Sequence, residues 1–175
     1  MNKHIIFTGF KNVGKSIMAK NLAEKIGEQF IDLDHIIEML SEKKFSRKLS
    51  CRKIMQLYGE KIFRDLEVEA LQHIIKLDPC IIALGGGALS RVENQILIKP
   101  HFIIHITAHP GIVFERSMVY GKPAFFSSQY EPIISFKKLW TERKKIYQKF
   151  ANLSIENNGK IGEAVHKIIK QLSLT

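Results

Sequence analysis

Short apolar runs alternate with stretches of helical period along almost the whole chain. His4 to Thr8 is apolar enough for a buried strand, and a glycine loop follows it directly. A helix is predicted from about Lys15 to Ile26, with Gly27 as its stop. Gln29 to Leu33 predicts a second strand. Ile36 to Leu40 and Lys53 to Tyr58 read as short helices, separated by the polar stretch Ser41 to Ser50. Glu60 to Leu77 has the period of a long amphipathic helix that ends near Asp78-Pro79. Cys80 to Leu84 and Phe102 to Thr107 predict the third and fourth strands, and Gly111 to Ser117 starts another helix. Tyr120 to Pro132 follows no period, as expected of a loop that is either disordered or functional, often a lid. A helix over Ser135 to Phe150, a strand over Leu153 to Glu156 and a helix over Ile161 to Leu172 complete the pattern.

Strands that alternate with helices predict an α/β fold, a parallel sheet with helices on both faces. In such folds ligands bind beyond the carboxyl ends of the strands. No repeat, low-complexity tract or linker interrupts the pattern, so residues 1–175 are expected to form a single domain.

Composition narrows the classes. With 45% hydrophobic and 25% charged residues, a disordered or fibrous chain is excluded. No apolar run approaches the roughly 18 residues of a membrane span, and Met1 to Phe10 reaches the glycine loop too early for a secretory signal. Cys51 and Cys80 form neither a disulfide framework nor a metal-ligand spacing, so a reducing cytoplasm is expected. The net charge of +10 is carried mainly by lysine, scattered along the chain, while arginine occurs only six times. A diffuse lysine excess serves solubility. The few arginines mark positions where a planar fork is wanted.

The sharpest chemical signal is Gly9-Phe10-Lys11-Asn12-Val13-Gly14-Lys15-Ser16, a full match to G-x-x-x-x-G-K-S/T between a strand and a helix. Such a loop wraps backbone N–H groups and a helix N-terminus around phosphates. The lysine meets the outer phosphates and the hydroxyl ligates Mg²⁺. Asp32 and Asp34 close the second strand. Two residues apart on an extended chain, they would face one way, beyond the sheet edge, as a metal-organising carboxylate and a base for a substrate hydroxyl. Capping of the next helix at Ile36 is the alternative. The third strand ends in Gly85-Gly86-Gly87 with no acidic residue, so the metal carboxylate must come from elsewhere, and Asp32 is nearest. Three glycines offer bare backbone N–H groups to a small ligand. Arg64 and Glu67 are helical neighbours, and Arg143 lies in a cationic helix.

Taken together, GFKNVGKS, FIDLD, FRDLE, LGGG, a K-P element and ERKKIY, in this order over nearly the whole chain, resemble the shikimate kinases. The resemblance implies a P-loop NTPase fold of the nucleoside-monophosphate-kinase-like group. It would have a five-stranded parallel sheet, a substrate-binding region at about 34–64 and a mobile lid at about 117–132. It implies transfer of the ATP γ-phosphoryl group to the 3-hydroxyl of shikimate, in the pathway to chorismate and the aromatic amino acids. Gly9, Lys11, Asn12, Val13, Gly14, Lys15, Ser16 and Ile17 would hold the nucleotide, with Arg116 against the adenine. Ser16 and Asp32 would organise Mg²⁺. Asp34 would hold the substrate hydroxyls and act as base, with Lys15 and Lys122 as catalytic cations. Phe63, Arg64, Gly85, Gly86, Gly87 and Arg143 would bind shikimate, the arginines on its carboxylate, and Glu67 would hold Arg64. Three positions depart from the family pattern. Asn12 replaces a usual glycine, Lys11 stands where the loop is usually apolar, and Lys122-Pro123 stands in place of Arg-Pro.

The implied cofactors are ATP and Mg²⁺, and the implied partner is the small-molecule substrate. No nucleic acid or membrane partner is expected, and the chain is expected to be a monomer. A related P-loop kinase acting on gluconate or a nucleoside monophosphate is the alternative. So is a basic ATP-binding protein that uses its charge on nucleic acid.

Overall fold

The computed structural model describes residues 2–119, 131–157 and 159–172. Most of the expected lid, with Lys122 and Pro123, lies outside the described residues. On its near flank Ser117 lies in the helix Pro110–Val119, as the helix expected from Gly111 to Ser117 implied, and on its far flank Pro132, expected as loop, opens the helix Pro132–Phe150. Proline suits that first position because its missing N–H has no intrahelical partner there.

The strands are β1 (Ile5–Thr8), β2 (Phe30–Asp32), β3 (Ile81–Ala83), β4 (Phe102–Thr107) and β5 (Leu153–Glu156). They form one sheet in the order β2-β3-β1-β4-β5. Every pairing is parallel, with Ile6 beside Ile82 on one side and Ile103 on the other. The central strands are apolar at nearly every position because helices cover both faces. Ile6, Phe7, Ile81, Ile82 and Ile104 are wholly buried. The helices are α1 (Lys15–Ile26), α2 (Leu33–Phe45), α3 (Cys51–Ile74), α4 (Val92–Ile98), α5 (Pro110–Val119), α6 (Pro132–Phe150) and α7 (Ile161–Leu172). A short 3₁₀ turn at Ala88–Ser90 precedes α4.

Two expectations change and one is met. The short helix at Ile36 to Leu40 is the middle of α2, which runs on through the polar stretch to Phe45. Ser41 there is buried, so the polar run hides an inward-facing turn. The two helices expected on either side of Gly59 are present and follow one another, together labelled α3, across a kink where Gly59 is non-helical (φ 84°, ψ 167°), a conformation that glycine alone adopts freely. The D-x-D pair does not extend β2. The strand stops at Asp32, whose carboxylate accepts from the Asp34 N–H at 3.0 Å and caps α2, so Asp34 stands in the first helical turn.

Among the described residues no helix is long and apolar enough to cross a membrane. With β1 central, the chain leaves toward β3 and β2 on one side and β4 and β5 on the other. The loop after β1 therefore opens at the point where the strand order reverses, which is where ligands sit in this architecture.

Candidate active site

The phosphate loop is shaped by sequence at two residues. Gly14 caps α1 at φ 98°. Asn12 holds a left-handed φ of 65°, the conformation Asn tolerates best among residues with a side chain. Its Nδ2 donates to Ser117 Oγ (3.2 Å), and its carbonyl accepts from Arg116 Nη1 (3.4 Å), so α5 braces the loop from outside. Asn157, at the end of β5, braces it from the other side by donating to the Val13 carbonyl at 2.8 Å. Lys15 is buried and donates to the Phe10 carbonyl at 2.9 Å, across the loop it follows. Burial lowers its pKa to about 8, while Asp34 and then Asp32 pull it back up.

Two cavities open on this loop. The first, of about 240 Å³, lies between the loop, the start of α2, the bent helix α3 and the three glycines. The second, of about 440 Å³, is lined by Gly14, Ile17, Arg116, Asn157, Gly159 and Ile161. Asn12, Lys15 and Ser16 line both. The two cavities thus meet at Asn12, Lys15 and Ser16.

The first cavity collects Asp32, Asp34, Phe63, Arg64, Gly85, Gly86, Gly87 and Arg143. The Arg64 guanidinium donates to Glu67 at 2.7 Å, a pair with side chains 7% and 1% exposed, and its Nε lies 3.5 Å from exposed Glu60. Burial pushes the Glu67 carboxyl up against the pull of Arg64. Arg143 donates to the Gly86 carbonyl at 3.2 Å and lies 5.5 Å from the centre of the Phe10 ring. Tyr147, one turn on, donates to the same carbonyl. The glycines are required by close approach. A Cβ on Gly86 would stand 2.7 Å from the Lys11 nitrogen, and one on Gly85 would stand 3.0 Å from Asp34 Oδ1.

Asp34 is reached by solvent through the cavity mouth, yet protein surrounds it on its other sides. That burial, followed by the nearby Asp32 charge, raises its pKa, while Lys15 lowers it. A carboxylate so placed holds a proton more readily than a free Asp, as a general base must. Ser16 Oγ donates to Asp32 Oδ2 at 2.7 Å. These two oxygens form a hard, partly exposed donor pair. Among the described residues no three His, Cys, Asp or Glu side chains gather into a metal cage. The Ser16–Asp32 oxygen pair fits Mg²⁺, which takes one or two protein oxygens and keeps waters and phosphates for the rest.

The sequence-predicted residues divide between the cavities. Ile17 and Arg116 line the second cavity only, and Lys11 lines only the first. Gly9 and Val13 line neither. Gly9 packs with its α-carbon against the Ile106 carbonyl, where a Cβ would stand 2.2 Å away. Sequence reasoning passed over Cys51, Arg52 and Met55 in the first cavity and Asn157 and Gly159 in the second. Asn157 to Gly159 is an Asn-x-Gly turn at the carboxyl end of a strand, a signal that could have been read. Arg52 was legible as one of the six arginines.

A phosphate loop at the switch point, with the first cavity of carboxylate and arginine side chains directly beside it, defines a P-loop kinase. The family model described as "Shikimate kinase" matches residues 11–173. The shikimate kinase of Thermodesulfovibrio yellowstonii is 33% identical over 172 residues, 97% of this chain and 94% of that protein. The shikimate kinase of Geobacter sulfurreducens is 30% identical over 93% of this chain and 86% of its own length. The structure of the Acinetobacter baumannii shikimate kinase in complex with shikimate superposes with a TM-score of 0.83 at 24% identity, over 97% of this chain and 92% of that one. This chain belongs to the shikimate kinase family.

Proposed function

We propose that this protein transfers the γ-phosphoryl group of ATP to the 3-hydroxyl of shikimate, giving ADP and shikimate 3-phosphate on the route to chorismate. The observation that carries the reading is the pair of cavities meeting at Lys15 and Ser16, one suited to a nucleotide and the other to a small carboxylic acid. Arg64 and Arg143 both open on the first cavity, the one suited to the acid, and a guanidinium fork matches a carboxylate in geometry and charge.

In this reading the chain's residues divide the work. Arg64, oriented by Glu67, and Arg143 bind the shikimate carboxylate and thereby set the ring. The bare backbone of Gly85 to Gly87 lets the ring approach. Asp34 accepts a hydrogen bond from the reacting hydroxyl and takes its proton as the oxygen attacks phosphorus. Lys15 and the loop N–H groups hold the phosphates, and Arg116, beside Asn157 and Gly159, borders the adenine. Ser16 and Asp32 would hold Mg²⁺, which supplies charge neutralisation on the outer phosphates.

The test is ADP release in a coupled assay with Mg²⁺ and shikimate, quinate or gluconate as acceptor. Shikimate is expected to drive release and gluconate is not. Equal release with gluconate, or none with shikimate, defeats the reading.

A further inference from the structure

The phosphate loop carries two lysines, and they face different ways. Lys15 lines both cavities, whereas Lys11 lines only the acceptor cavity. Lys15 is committed to the loop through the Phe10 carbonyl. Lys11 is exposed toward the cavity and makes no ion pair among the described residues.

Its starting point is nevertheless fixed. The Lys11 backbone packs directly on Gly86, where a Cβ would stand 2.7 Å from its nitrogen and 3.3 Å from its Cα. Gly86 is itself held by Arg143 and Tyr147 through its carbonyl. On the other side, Asn12 is bound to Ser117 and Arg116. A flexible stem therefore leaves from a rigid point between the acceptor wall and the phosphate loop. Behind burial, the leading influence on both groups, the Lys11 charge lowers the pKa of Asp34 and of Lys15, so it acts on the base and on the phosphate lysine together.

We propose that Lys11 is a further catalytic residue, whose ammonium meets the phosphoryl group from the acceptor side and stays with it in the product. The inference rests on the shikimate kinase reading above. In the step, the shikimate 3-oxygen forms a bond to the γ-phosphorus, and the bond from that phosphorus to the β,γ-bridging oxygen breaks. The electron pair leaves with ADP, and the hydroxyl proton goes to Asp34. Lys11 exchanges no proton. Charge on the three equatorial oxygens moves away from Lys15 toward the acceptor, and a second cation waiting there stabilises the transition state more than the bound substrates. The shikimate carboxylate already has two arginines, so the Lys11 ammonium, without an ion pair among the described residues, is left for the phosphoryl group.

The test uses Lys11→Met, which keeps the length and removes the charge, and Lys11→Arg, which keeps the charge. Steady-state kinetics are combined with calorimetric binding of shikimate and of shikimate 3-phosphate to each protein. Lys11→Met is expected to lower kcat by roughly 10- to 100-fold with the shikimate KM nearly unchanged. It should weaken shikimate 3-phosphate about tenfold and leave shikimate affinity intact, and Lys11→Arg should retain most of both. Unchanged kcat and product affinity in Lys11→Met overturn the inference. Equal weakening of shikimate and its phosphate overturns it too, by placing Lys11 on the carboxylate. Wild-type protein that binds neither compound overturns the shikimate reading itself, a result distinct from any failure confined to the variants.

Discussion

Arg64 fills the space that a side chain on Gly87 would occupy: a Cβ there would stand 2.3 Å from Nη2 and 2.9 Å from Cζ. The guanidinium therefore lies flat on bare backbone, trapped between Gly87 and Glu67. Gly87→Ala must push it aside. The expected outcome is a shikimate KM raised roughly tenfold or more with the ATP KM little changed, since a carboxylate clamp depends on ångström-level placement. Steady-state kinetics in both substrates checks it. An unchanged shikimate KM would remove Arg64 from the acceptor site.

The two acidic neighbours of Arg64 differ in weight. Glu67 is buried and Glu60 is largely exposed. Breaking a buried pair leaves a desolvated charge, whereas a surface pair is worth about 0–1 kcal/mol. Glu67→Gln is expected to cost about 3 kcal/mol of stability, the lower end of the range for a broken buried pair because Gln still offers an oxygen. Glu60→Gln should leave denaturant unfolding nearly unchanged. Similar losses for both variants would show that the pair is not desolvated in solution.

Asp34 carries a raised pKa, caused first by burial and then by Asp32. Its ionised form is therefore held at a cost that grows as pH rises through the folded pKa and vanishes below the unfolded one. Asp34→Asn removes that cost, so the variant should melt no lower than wild type at pH 7, with any advantage closing below about pH 4. Turnover should fall by roughly 10²-fold or more, as for loss of a general base. In the wild type, the acid limb of kcat/KM should lie above the pKa of an ordinary Asp. A fully active Asp34→Asn protein would return the residue to a structural role in α2.

Lys15 has its pKa lowered to about 8, chiefly by burial. In the free protein it is mostly charged below that pH and increasingly neutral above it. Phosphates arriving at the loop favour the ammonium again, so nucleotide binding should take up protons at alkaline pH. Calorimetry with ATP in buffers of different ionisation enthalpy should find uptake near zero at about pH 6.5, rising toward one proton near pH 9. A lowered folded pKa also means that this group's contribution to stability increases as pH rises through 8. Flat proton uptake across this range would contradict the burial of Lys15.

The strands and the phosphate loop were readable because each is a local signal: a short apolar run, or glycines at fixed spacing before a helix. The bend in α3 was readable too, since Gly59 breaks the period where the backbone turns. Asp34 was assigned to the right neighbourhood on the wrong element. Alternation by two places it on a strand, but a side-chain cap at Asp32 ends the strand two residues earlier. Nothing local announces that Ser41 is buried, so α2 looked shorter than it is. The 3₁₀ turn and α4 were missed because their segment, Ala88 to Ile98, has too few apolar repeats to show a period. Tyr147 reads from sequence as an ordinary packed aromatic one turn beyond Arg143. Only the return of the glycine run in space makes its hydroxyl a brace for the Gly86 carbonyl.

Lys15 and Ser16 are shared walls, lining at once both cavities, the one proposed for the nucleotide and the one proposed for the acceptor. A single molecule that joins a cyclic carboxylate to adenosine through a short anionic bridge would need to cross only that dipeptide to occupy both. Once one end docked, the other would search a volume no larger than the bridge allows, at an effective concentration in the millimolar range or above. Two individually modest ligands would then combine into an inhibitor far tighter than either, with bridge length as the variable that reports the distance between the two sites.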